Sequence, residues 1–189
     1  MLYALQFGRV VVLAIFRKEA RMCGGVRFKY DQQLEPTLSE IYPAEQLQRA
    51  RADGVVQSVY WQPRPILPVL FDNELRIYDW GNRDESLKLP KTGWVRVESL
   101  DAGKWNYLRP RAITIPVFQG VEKGVWFGIS YGIRGFLVRR DGAERVYMLT
   151  LPPTPEYHAL TGHDRMPALI DQDIVAPVES GEQQRSLGI

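Results

Sequence analysis

The sequence has one cysteine, Cys23, and two histidines, His158 and His163. A single cysteine excludes an internal disulfide, so a reducing compartment, the cytoplasm, is the natural home. One cysteine and two histidines are also too few for the usual His/Cys zinc sites, and no metal or cofactor is implied. Long apolar runs are missing as well. The run at residues 10–16 has seven residues, against about 20 for a bilayer span. It is followed by Arg17, Lys18 and Arg21 where a signal peptide would carry small residues. No membrane association is expected, and the reading favoured for residues 1–21 is an upstream start that leaves them out of the mature protein.

An excess of one charge is also lacking. The formal net charge is +2, but residues 1–21 alone contribute +3, which leaves −1 for the rest. Overall charge therefore gives no argument for a nucleic-acid partner. The distribution is less even: residues 83–145 hold twelve Lys/Arg against seven Asp/Glu, and residues 146–189 hold two against six. That permits a local basic face, although a segregated run is more often a solvated surface. With 189 residues, 45% of them hydrophobic, the chain can bury one core. It divides into an extension (1–21), one domain (22–170) and an acidic tail (171–189).

Alternation of apolar and basic residues predicts a strand over 26–30. Good helix formers behind Pro43, with Gly54 just past the end, predict a helix over 43–52. β-Branched and aromatic residues predict strands over 55–61 and 75–80. Three prolines within 62–68 forbid helix and require extended backbone. Residues 81–93 read as a polar loop and 98–105 as a short helix. Asp141-Gly142 between two apolar runs predicts a hairpin of strands 135–140 and 144–151. Thr154-Pro155-Glu156 reads as a helix cap with proline at the first position, and Gly162 as the stop. The glycines at 120, 124, 128, 132 and 135 form no phosphate loop and mark bends or crowded strands.

The stretch with chemical promise is Met22-Cys23-Gly24-Gly25. If the mature chain begins at Cys23, its α-amine and thiol sit on adjacent carbons. Such an amine has a pKa of about 7.7–8.0, so near neutrality much of it is the free base that attacks aldehydes. The thiol can then close a thiazolidine. On composition alone, a lone cysteine is more often a small buried hydrophobe. Short motifs then follow in order: Asp79-Trp80-Gly81, Trp94-Val95-Arg96-Val97-Glu98-Ser99, Arg109-Pro110-Arg111-Ala112 leading to Pro116 and Glu122, and His163-Asp164-Arg165-Met166-Pro167.

In this order and spacing, from Met22 to about residue 170, the chain resembles the SRAP family, named after SOS response-associated peptidases. Its members begin Met-Cys-Gly-Arg and end on His-x-Arg-Met-Pro. The resemblance implies a single-domain α+β fold with a barrel-like, mostly antiparallel sheet and a few short helices. It implies a DNA-damage-response protein that binds single-stranded DNA and forms a covalent thiazolidine with abasic-site aldehydes, as a monomer without metal or membrane. By position, Cys23 would be the nucleophile, Glu122 a proton shuttle and His163 a second acid/base group for sugar ring opening. Arg96 would contact phosphate, Trp80 would support the backbone or stack on a base, and Pro63 would shape the DNA-facing edge. Gly25 replaces the family's Arg, and Arg27 would reach the same phosphate. Trp94 stands where the family has Asn. The residues also have plainer readings: Trp80 as core, Arg96 paired with Glu98, His163 as a helix cap, Glu122 as a surface residue. Two other functions compete, a thiol peptidase that cuts before Cys23 with His163 as activator, and a non-catalytic single-strand-binding module.

Overall fold

The structure, a computed structural model, describes residues 24–173 and 175–178. Cys23 lies outside the described residues, as do the extension before it and the last part of the acidic tail.

The chain enters as β1 (Gly25–Lys29), then forms α1 (Glu35–Ile41) and α2 (Ala44–Asp53). Pro43 caps α2 and Gly54 ends it in the left-handed conformation, as the proline and glycine positions predicted. Next come β2 (Val55–Val59), β3 (Ile66–Phe71) and β4 (Glu74–Asp79). Pro68 lies inside β3, so the proline-rich stretch is extended as expected but carries more regular strand than its composition suggests. After the loop come β5 (Trp94–Arg96) and α3 (Val97–Asp101), a helix shorter than the predicted one; a single 3₁₀ turn, Asn106–Leu108, follows it. β6 (Arg111–Ile115), β7 (Gln119–Glu122) and β8 (Val125–Gly128) precede the long hairpin of β9 (Ile133–Arg140) and β10 (Ala143–Leu151). The Asp-Gly turn joins that hairpin as predicted. α4 (Pro155–Thr161) and the two-residue β11 (Met166–Pro167) complete it.

Two sheets result, one in the order β2-β1-β7-β8 and one in the order β11-β10-β9-β6-β3-β4, with β5 parallel to β10. All other strand pairs within them are antiparallel. The molecule is thus α+β with few short helices. Neither strand order closes on itself among the described residues; past the end of β4 an isolated parallel bridge, Trp80–Val146, reaches back to β10, and the expected barrel-like sheet is corrected to two sheets without a closed barrel.

The main core is built by inward residues of both sheets, among them Val26, Phe28 and Phe127 from one and Ile66, Ile115 and Met148 from the other, with Leu38 and Leu47 of the helices added. A second cluster, with Trp105, Phe136, Tyr147 and Leu149, covers the opposite face of the larger sheet. That double coverage explains why β9 and β10 carry continuous apolar runs and not a clean alternation.

Candidate functional site

Thr154 Oγ1 accepts from the Tyr157 N–H at 3.2 Å and opens α4. The left-handed Gly162, whose N–H donates to His158 O at 2.7 Å, closes it. His163 leaves this stop pointing inward and is only 3% exposed. Its Nδ1 lies 3.1 Å from both the Arg165 N–H and the Arg165 carbonyl oxygen, so the Arg165 backbone holds the ring through Nδ1 in either neutral tautomer. The Arg165 guanidinium holds the segment in place. It donates to both Glu98 carboxylate oxygens at 2.8 Å and to Thr150 O at 2.7 Å. This fork pulls the exposed Glu98 carboxyl down to a pKa of about 2.

Glu122 comes from the other sheet, at the last position of β7, before the turn made by Lys123 (φ 48°) and Gly124 (φ 87°). The Lys123 ammonium binds the Gly162 carbonyl, tying this turn to the end of α4. Glu122 is 1% exposed. Its Oε1 stands 4.0 Å from His163 Nε2, and neither Oε2 nor His163 Nε2 has a hydrogen-bond partner.

This pair is not an ion pair. Burial pushes the Glu122 carboxyl up to about 7, against a smaller downward pull from Lys123. The same burial pushes the imidazole below its ordinary value. Desolvation drives both groups toward their uncharged forms. The 4.0 Å separation is too long for a direct hydrogen bond, yet within reach of one reacting atom or water placed between them. Near neutrality Glu122 can therefore both give and take a proton.

The described chain begins against Val121, the residue before Glu122. Gly24 N–H donates to Val121 O at 2.7 Å, and Tyr60 N–H donates to Gly24 O at 2.9 Å. Neither Gly24 nor Gly25 has room for a side chain. A Cβ on Gly25 would meet Val59 Cγ1 at 2.7 Å and Ser58 O at 3.0 Å, and one on Gly24 would meet Trp61 Cζ3 at 2.5 Å. The glycine at position 25 is thus a packing requirement of three crowded strands.

The remaining expected residues divide. Arg96 is exposed and forms no ion pair among the described residues; the expected Arg96–Glu98 pair is corrected, because Glu98 lies in α3 and binds Arg165. Pro63 is exposed on the turn after β2, beside a pocket of about 280 Å³ that Arg64, Asp79, Arg83 and Arg145 line. Trp80 is corrected to a core residue. It is 1% exposed, its Nε1 donates to Gly93 O at 3.0 Å, and its ring packs edge-on against Tyr60 and Trp94, so it offers no face to a base. Arg27 is also corrected. It is buried, donates to Gln57 Oε1 at 3.1 Å and Gln119 Oε1 at 3.0 Å, and lies 3.9 Å over the Trp126 ring, clamped within its sheet and not free for a phosphate. Trp94, half-buried, packs against Tyr60 with ring centres 4.3 Å apart and planes tilted by 54°, and leaves its Nε1 without a partner.

Sequence reasoning missed three contributors. Arg165 was visible only as part of a motif, and Lys123 only as a neighbour of Glu122. Trp61, 57% exposed and seated over Gly24, was read as the end of a strand. Among the described residues, no group of three His, Cys, Asp or Glu side chains could hold a metal ion, and no helix is long and apolar enough to cross a membrane. No family model matches the chain, and no curated protein matches it.

Proposed function

We propose that the mature protein, beginning at Cys23, captures abasic sites in single-stranded DNA by forming a thiazolidine, as the SRAP resemblance implies. What carries the reading is one juxtaposition: the buried Glu122–His163 pair, 4.0 Å apart with Glu122 Oε2 and His163 Nε2 unbonded, begins one residue past Val121, whose carbonyl binds Gly24, and Cys23 is joined to Gly24 by one peptide bond.

In the proposed reaction His163 assists opening of the sugar hemiacetal, exposing the aldehyde. The Cys23 amine attacks the aldehyde carbon, and the adduct loses its hydroxyl as water, giving an imine. Glu122, with a pKa of about 7, takes the amine proton and returns one to the departing hydroxyl. The sulfur then adds to the imine carbon, and its proton ends on nitrogen. Amine, thiol and aldehyde become one thiazolidine and one water, with no external oxidant or reductant. The exposed, unpaired Arg96 suits a phosphate contact, and the exposed Pro63 the edge of the DNA path. The reading includes a cytoplasmic, nucleoid-associated monomer.

The test uses protein that starts at Cys23 and an oligonucleotide with one abasic site. A heat-stable shifted band, lost in Cys23→Ala and in protein that retains residues 1–21, is the expected result. A salt-sensitive shift that survives Cys23→Ala would replace cross-linking with simple binding. A full-length product whose intact mass shows loss of the residues before Cys23 would favour the self-processing peptidase.

A further inference from the structure

Trp61 is an exposed indole on a rigid mount. The Tyr60 and Gln62 carbonyls that flank it both accept from Arg83 Nη1, at 3.1 and 2.7 Å. The Gln62 side chain closes the turn from inside, accepting from Val59 N–H at 3.2 Å and donating to Arg64 O at 2.8 Å. Pro63 and Pro65 then restrict the chain that leaves it. The six-membered ring of the indole stands over Gly24, where an added Cβ would lie 2.5 Å from Cζ3 and 3.2 Å from Cη2. The missing side chain at Gly24 is what lets the ring occupy that place. Through Gly24, which bonds Tyr60 on one side and Val121 on the other, the ring sits one strand away from Glu122.

The rest of the ring is open to solvent, with 57% of Trp61 exposed. Its surroundings are polar and cationic. Arg83 is exposed and makes no ion pair among the described residues, while Arg64 is held by Asp79 at 2.7 Å. The other large exposed hydrophobics, Leu70, Tyr107 and Tyr131, belong to other segments, so Trp61 is not part of a wide apolar patch of the kind that docks a protein. A lone fixed aromatic face beside an unpaired guanidinium suits an unpaired base and its phosphate.

We propose that Trp61 is the stacking shelf for one unpaired nucleobase, the neighbour of the nucleotide that reaches the Glu122–His163 pair, with Arg83 on the adjoining phosphate. The site takes any of the four bases, because each has a stacking face. The inference rests on the single-strand reading above and assigns that strand its first base contact. Trp61 takes the role that the buried Trp80 does not fill.

Equilibrium binding of Cys23→Ala protein to an undamaged single-stranded oligonucleotide tests the shelf without needing the covalent step. Trp61→Ala should weaken binding by about 5- to 150-fold, the range of one lost base stack, and Trp61→Phe should restore most of it. On a strand of equal length built from base-less spacer residues, Trp61→Ala and the parent should bind alike, which a merely structural role for Trp61 would not produce. Arg83→Gln should lower the salt dependence of binding. Equal affinity of Trp61→Ala and parent for the normal strand, an equal loss on both strands, or no single-strand binding by the parent overturns the proposal. Cross-linking by protein with Cys23 intact is scored separately: the shelf can fail while cross-linking persists, and cross-linking can fail while the shelf remains.

Discussion

Replacing Glu122 by glutamine should stabilise the protein above neutral pH while removing its proton-transfer group. The folded state raises the Glu122 pKa from an ordinary 4.5 to about 7 through burial, so the folded protein holds this proton more tightly than the unfolded chain does. Stability from this source is fully present below pH 4.5 and is lost as pH rises through 7. Between those values the native protein should lose about 1.4 kcal/mol per pH unit from this group, about 3 kcal/mol in all. Glutamine fills nearly the same volume, stays neutral and carries no such penalty. The stability difference between Glu122→Gln and the parent should therefore be small at pH 4.5 and grow to about 3 kcal/mol by pH 8. With a urea slope of about 2 kcal/mol per molar, the unfolding midpoint of the variant at pH 8 should lie about 1.5 M higher. His163, whose pKa is lowered by the same burial, loses stability in the opposite direction, as pH falls. It is present in both proteins and cancels to first order in the difference. Abasic-site capture should meanwhile slow by about 10²–10⁴-fold. Parallel stability–pH profiles for the two proteins would refute the claim that Glu122 is a desolvated, proton-holding acid.

Three further outcomes follow from particular contacts. Gly81→Ala should cost about 3 kcal/mol or more in denaturant unfolding, because Gly81 has φ 64° and a Cβ there would stand 2.2 Å from Thr92 O, a backbone atom that cannot swing away. Arg165→Gln should return the Glu98 carboxyl from about 2 toward its ordinary range in an NMR titration, and should slow capture by loosening the segment that aims His163; an unmoved Glu98 titration would remove Arg165 from that role. Arg27→Met should leave the urea midpoint at or above the parent's, since a buried charge without a carboxylate partner gives little net stability, and should change single-strand affinity by no more than about twofold. A tenfold loss of affinity would reinstate Arg27 as a phosphate contact.

Local chemistry was legible where a few neighbouring residues decide the conformation. The α4 cap at Thr154, its proline and its glycine stop, the Asp141-Gly142 hairpin, and α2 between Pro43 and Gly54 all act over one turn of chain, and the structure has them where the sequence placed them. The motif resemblance pointed to Glu122 and His163, and the structure sets those two side by side. The short strands β5, β6, β7, β8 and β11 escaped prediction, because strands of two to five residues owe their existence to partners distant in sequence.

Which face a residue presents is a different kind of question, and the misreadings of Trp80, Arg27 and Trp61 share that cause. An indole at the end of an expected strand reads the same in sequence whether it is buried, like Trp80, or open to solvent, like Trp61. An arginine on an alternating strand reads as outward, yet Arg27 is closed over by Gln57, Gln119 and Trp126 from three other strands. By itself the sequence determined where the chain turns, caps and extends, since those energies come from φ preferences and hydrogen bonds between near neighbours. Only the tertiary structure decided that Glu122 and His163 lose their solvent together and that Trp61 keeps its own, because desolvation is set by every segment that packs around a side chain.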